Sequence, residues 1–175
     1  AARSAVITGT GSSVPDRVVT NLDLEKLVET SDEWIVARTG IRERRVAAPG
    51  EGVSKFAAAA ARQALAAASV APEDVDLIIL ATVTPDMPFP ATACLVQERI
   101  QAKKAWGFDI NAACSGFPYA LTVGAQFVET GAARKVLVIG ADVMTAILDY
   151  GERSTCVLFG DAAGAVLLEP REDGT

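Results

Sequence analysis

The chain has 175 residues, half of them hydrophobic and 22% charged, and carries a formal net charge of −6 at pH 7. This length suits one domain with a real core, and the composition excludes a disordered chain. The negative charge argues against nucleic acid as a main partner, and no apolar run reaches the roughly 18 residues of a membrane span.

The opening stretch "AARSAVITG" has no signal-peptide core, so a cytoplasmic protein without membrane contact is expected. The three cysteines, Cys94, Cys114 and Cys156, are an odd number spread widely and make no disulfide framework. With no histidine in the chain, a zinc site is not expected either, and no metal is expected.

Residues 4–9 read as a first buried strand. Residues 22–29 and 32–38 read as short helices, the second capped by Thr30 or Ser31 and favoured at its positive end by Asp32 and Glu33. The Ala-rich stretch 53–69 predicts a helix whose small residues let it lie close to a sheet. Residues 75–83 form a β-rich apolar run, "TPDMPFPAT" a proline-rich loop, and a helix follows to about residue 101. A strand (105–110), a helix (about 114–130) and a strand (135–141) come next. The last apolar run, 155–168, is interrupted by "GDAAGA", which predicts a turn between two strand pieces. Strands alternating with helices predict a parallel α/β sheet of about five strands, covered on both faces. The polar tail "EPREDGT" reads as a domain edge.

Two glycine-rich stretches carry little chemistry. "GTGSSVP" (9–15) lacks the third glycine and the following helix of a dinucleotide fingerprint, and "GDAAGA" lacks the Lys-Ser/Thr pair of a phosphate loop. The basic clusters "GIRERR" and "AKKAW" read as solvated surface. Cys114 differs. It falls at the start of a helix that follows a buried strand, where free N–H groups and the helix dipole stabilise a thiolate and lower its pKa. The same N–H groups can hold a developing oxyanion, and Gly116 permits close approach. Cys94 and Cys156, in a helix interior and a strand, read as small buried hydrophobes. Trp34 and Arg38 taken alone read as core and surface.

The ordered motifs "TSDEWIVARTGIRERR" (30–45), "TPDMPFPATA" (84–93), "AACSGF" (112–117), "ERST" (152–155) and "FGDAAGA" (159–165) resemble β-ketoacyl-acyl-carrier-protein synthase III over essentially the whole chain. The resemblance implies the first half of a thiolase-like αβαβα sandwich, with a mixed five-stranded sheet and helices on both faces. It implies that residues 1–175 are an N-terminal half-domain and that the C-terminal half is absent from this chain. Cys114 matches the nucleophile that takes an acyl group from acyl-CoA, before condensation with malonyl-acyl carrier protein initiates fatty-acid synthesis. Trp34, Arg38 and Arg153 match a coenzyme A site in which Arg153 lies across the adenine from Trp34. Phe89 matches a loop residue at a homodimer contact that shapes the partner's acyl pocket, and Met144 falls at a pocket-lining position. No cofactor is implied, since acyl-CoA is a substrate.

The family's catalytic histidine and asparagine lie in the second half, which the resemblance assigns to the same full-length protein or to another chain. The isolated chain is therefore expected to be an incomplete acyltransferase that exposes a large apolar face. Two alternatives stay open: a non-catalytic assembly half that completes another subunit, and a related ketosynthase acting on polyketide or hydroxymethylglutaryl thioesters.

Overall fold

The computed structural model describes residues 3–172. Its centre is β4 (Leu77–Ala81), five consecutive residues that are all buried, as a strand covered on both faces requires. It pairs in parallel with β5 (Trp106–Ile110) on one side and β6 (Val136–Val143) on the other. β7 (Asp161–Glu172) is antiparallel to β6, and β1 (Arg3–Ser13) is antiparallel to β7, which gives the order β1-β7-β6-β4-β5.

Alternate side chains of these strands feed two cores, as the two-residue period of a strand dictates. Ile78, Leu80, Leu137, Ile139 and Leu167 pack with α3 (Val53–Ala68) and α4 (Thr92–Ile100). Leu77, Ile79, Val136, Val138 and Leu168 pack on the other face with α5 (Gly116–Glu129). The Ala-rich helix lies against β1 because Gly9 and Gly11 leave room for it. A Cβ at Gly9 would stand 2.1 Å from the Ala64 carbonyl oxygen, and one at Gly11 would stand 2.2 Å from that of Ala60. The glycines of "GTGSSVP" thus serve helix-on-strand contact.

A smaller unit sits beside this sandwich. β2 (Arg17–Thr20) and β3 (Glu43–Val46) form an antiparallel pair. Between them lie α1 (Asn21–Leu24) and α2 (Asp32–Thr39), and α6 (Arg153–Cys156) joins from the far end of the chain. Val19, Leu24, Ile35, Val46, Cys156 and Val157 make its core, with Trp34 and Tyr150 packed against it.

Several expectations are corrected. The sheet is mixed, as the family resemblance implied and strand–helix alternation alone did not. "GDAAGA" makes no turn: residues 161–165 begin one continuous strand, whose small residues pair with β1 on one side and β6 on the other. The helix expected over 22–29 is a single turn, after which the side chain of Glu25 accepts the N–H of Asp32 at 2.8 Å and the chain folds back into α2. The β2–β3 pair was not foreseen, because four-residue strands carry too little periodicity. Ser31 does cap α2, accepting the Trp34 N–H at 3.2 Å.

Candidate active site

The parallel strands β4, β5 and β6 end along one edge of the sheet, the edge where open α/β sheets collect their ligand-binding groups. The chain leaves β5 through Asn111 and Ala112 and makes one 3-10 turn over Ala113–Ser115 before α5 begins. Ala113 has φ = 46°, a left-handed conformation that costs a residue other than glycine about 1–3 kcal/mol. This bend lifts Cys114 to the surface. Gly116 then brings α5 down onto the sheet, since a Cβ there would lie 3.1 Å from the Cβ of Ala81. Cys114 therefore precedes the helix by two residues, in the turn that leads into it.

Two cavities share Cys114 as a wall. The first, of about 480 Å³, is lined also by Thr10, Ala81, Phe117, Asp142 and Val166. The second, of about 420 Å³, is more apolar and is lined also by Val83, Met144, Phe159 and Ala162. Asp142 belongs to both walls and fixes the edge. One carboxylate oxygen accepts from Thr82 Oγ1 at 3.0 Å, from the Val83 N–H at 2.8 Å and from Thr84 Oγ1 at 3.2 Å. Thr84 Oγ1 in turn accepts the Val143 N–H at 2.9 Å. The turn after β4 and the end of β6 are thereby tied together at cavity walls shared with the cysteine.

A second group forms on the smaller unit. The guanidinium carbons of Arg38 and Arg153 each lie 4.7 Å from the centroid of the Trp34 ring. Arg153 Nη1 also donates to the Glu29 carbonyl at 3.0 Å. A purine stacked between Trp34 and Arg153 needs about 7 Å, two carbon–carbon contact distances. Here Arg153 rests on the indole itself, so the expected position across an adenine requires it to swing outward. That displacement gives up an exposed cation–π contact of about 0.5–1 kcal/mol, a small cost against the stacking it would allow.

The remaining site residues fall as follows. Met144 lines the apolar cavity with Cys114. Phe89 is 86% exposed and lines neither cavity. Its loop is held at the base by Asp86, whose carboxylate accepts the Ser54 N–H at 2.9 Å at the start of α3. Cys94 is exposed on α4, not buried in its interior. Cys156 is buried as expected, but in α6 and not in a strand, and burial pushes its thiol pKa up, partly offset by the nearby Arg44 guanidinium.

Sequence reading missed Asp142, Phe159 and Arg44. An acidic residue ending an apolar strand ("VLVIGAD") was an available signal for the first. Arg44 looked like part of a solvated basic cluster and is instead 6% exposed. Among the described residues no helix is long and apolar enough to cross a membrane.

A mixed five-stranded sheet with helices on both faces, and a cysteine at the junction between β5 and α5, define a thiolase-like α/β protein. Residues 108–175 match the family model of 3-oxoacyl-(acyl-carrier-protein) synthase III. The β-ketoacyl-acyl-carrier-protein synthase III of Desulfitobacterium hafniense is 56% identical over 98% of this chain and 52% of its own. The crystal structure of 3-oxoacyl-acyl-carrier-protein synthase III from Aquifex aeolicus superposes with a TM-score of 0.94 at 54% identity, covering 97% of this chain and 55% of that one. The priming β-ketosynthase of the R1128 polyketide pathway gives a TM-score of 0.94 at 39% identity, over 97% of this chain and 51% of that one. This chain is a homologue of β-ketoacyl-acyl-carrier-protein synthase III, and it spans about half the length of the curated relatives it matches.

Proposed function

We propose that this chain is the nucleophile-bearing half of a condensing enzyme that starts fatty-acid synthesis. Cys114 takes the acyl group of an acyl-CoA as a thioester, releasing the coenzyme A thiol. The carbanion formed when malonyl-acyl carrier protein loses CO2 then attacks that thioester and frees the cysteine. The observation that carries this reading is the exposed Cys114, lifted by the Ala113 bend to the mouth of two cavities at the carboxyl edge of the sheet. The backbone N–H of Cys114 itself suits a developing oxyanion, whereas those of Ser115 and Gly116 are taken up by the Ala112 and Ala113 carbonyls. The apolar cavity lined by Met144 and Phe159 suits a short acyl chain. Trp34, Arg38 and Arg153 suit a flat nucleotide and its phosphates, because an aromatic face and guanidinium groups favour both.

The enolate of the decarboxylation step needs donors aimed at it. The chain has no histidine, so in this reading the donors come from a second, C-terminal half, as the relatives' length supports. Residues 1–175 then act as one thiolase-like half-domain. Phe117, Leu121 and Phe127 of α5 pack on the sheet yet stay half-buried, and with exposed Tyr119 they form the apolar surface such a half would cover.

The test is intact-mass spectrometry with peptide mapping, after the chain joined to the second half of a relative is incubated with acetyl-CoA. An acetyl adduct on Cys114, absent from Cys114→Ala, is expected. An adduct on Cys94 or Cys156, or none at all, refutes the assignment, and the absence of any acylation favours the assembly role. The likeness to the R1128 priming ketosynthase favours, as a second reading, polyketide priming by the same chemistry. Comparing ketoacyl formation with fatty-acid and polyketide carrier proteins separates the two.

A further inference from the structure

The basic stretch "GIRERR" contains an arginine that the chemistry above does not use. Arg44 of β3 is 6% exposed, and its guanidinium makes no ion pair among the described residues. Nη1 donates to the Val19 carbonyl at 3.3 Å and to Asn21 Oδ1 at 2.9 Å, and Nη2 donates to the Val157 carbonyl at 2.9 Å. Nε finds no partner. Asn21, 1% exposed, passes the contact on: its Nδ2 donates to Asp32 Oδ1 at 2.7 Å and to the Ile41 carbonyl at 2.8 Å. Asp32 is the first residue of α2, which carries Trp34 and Arg38, and Val157 directly follows α6, which carries Arg153. Three short hydrogen bonds therefore run from the start of one helix of the Trp34 group to the end of the other.

A buried guanidinium with an unused donor and no carboxylate beside it is a poor way to gain stability, since apolar side chains of similar volume serve as well or better. What it supplies is geometry. A rigid fork reaches carbonyls and an amide on three separate elements, and the Asn21 amide accepts from the arginine while donating to Asp32. We infer that Arg44 and Asn21 are positioning residues that set the spacing between the α2 and α6 sides of the Trp34–Arg153 pair, and so its capacity to admit a flat nucleotide base. The ligand side of this inference rests on reading Trp34 and Arg153 as a coenzyme A clamp.

The chain has two tryptophans, so in a Trp106→Phe background all tryptophan emission comes from Trp34. In the unliganded protein, Arg44→Lys should raise acrylamide quenching of Trp34 about twofold, as a three-armed fork is replaced by a point charge. In the protein joined to the second half, coenzyme A binding measured by calorimetry should weaken about tenfold, the scale set by one lost charge-assisted hydrogen bond. The alkylation rate of Cys114 by iodoacetamide should stay unchanged. Asn21→Ser leaves the Arg44 bonds to Val19 and Val157 in place and carries the same expectation, should Arg44→Lys not fold.

Unchanged Trp34 quenching in the folded variants overturns the inference. So does a parallel change in Cys114 alkylation, which marks general loosening. If the parent protein binds no coenzyme A while Arg44→Lys still exposes Trp34, the clamp reading falls and the positioning role stands.

Discussion

At the scale of single residues, the three cysteines separate by environment. Cys114 and Cys94 are exposed, whereas Cys156 lies inside the core of the smaller unit with its thiol pKa raised by burial. Iodoacetamide at mildly alkaline pH should therefore label Cys114 and Cys94 and leave Cys156 untouched until denaturant is added, as peptide mapping would report. Labelling of Cys156 in the folded protein would contradict the packing. The Trp34 ring gives a second expectation. Trp34→Ala should weaken coenzyme A affinity by about 1–3 kcal/mol, the worth of one stacked base. Turnover at saturating acyl-CoA should be nearly unchanged. A normal KM with collapsed turnover would move Trp34 into the chemistry itself. Residue identity was enough to single out Cys114, because a small thiol at a strand-to-helix junction has a physical use. It was not enough for Trp34 and Arg38, whose grouping includes an arginine more than a hundred residues away in the chain.

At the scale of elements, close contact between α3 and β1 depends on missing side chains. Gly9→Ala would drive a methyl group to 2.1 Å from a helix carbonyl. It should cost about 1–3 kcal/mol, the range for overpacking, read as a lower urea midpoint. An unchanged midpoint would mean that α3 can shift freely. The smaller unit adds a pH dependence. Burial raises the pKa of the Cys156 thiol and, together with nearby Asp161, that of the Tyr150 hydroxyl. A proton held more tightly when folded favours the folded state fully below the unfolded thiol pKa of about 8.5, and that margin is lost as pH rises through the folded value. The melting temperature should therefore fall as pH is raised from about 8 to about 10, and Cys156→Ala should fall less steeply. The long apolar elements (α3, β4, α5 and β6) were legible because their patterns extend over enough residues to be periodic. The β2–β3 pair was not, because its four-residue strands are held mainly by contacts distant in sequence, among them the Arg44 hydrogen bond to Val157.

At the scale of the molecule, β5 is an edge strand, and Phe89 stands 86% exposed on the loop before α4. An open sheet edge and an exposed aromatic side chain are each features suited to contact with a second copy. Phe89→Asp in the protein joined to its second half should therefore shift sedimentation toward the monomer. An unchanged dimer with unchanged primer preference would place the contact elsewhere. The chain without a second half should form no ketoacyl product from malonyl-acyl carrier protein, since no histidine is available to steady the enolate. Robust product from it, with no copurifying partner visible by mass spectrometry, would relocate the catalytic donors.

Composition, periodicity and the setting of Cys114 were sufficient for an α/β domain with a sheet covered on both faces and a cysteine at a strand end, because each is a local property of consecutive residues. The antiparallel β7, threaded between β1 and β6 through what reads as a turn, came from pairing partners about 160 and 25 residues away. The same holds for the burial of Arg44, the stacking of Arg153 on Trp34 and the sharing of two cavities by Asp142 and the cysteine. Each depends on which distant backbone group comes within hydrogen-bonding or van der Waals reach, and a one-dimensional pattern does not encode that reach.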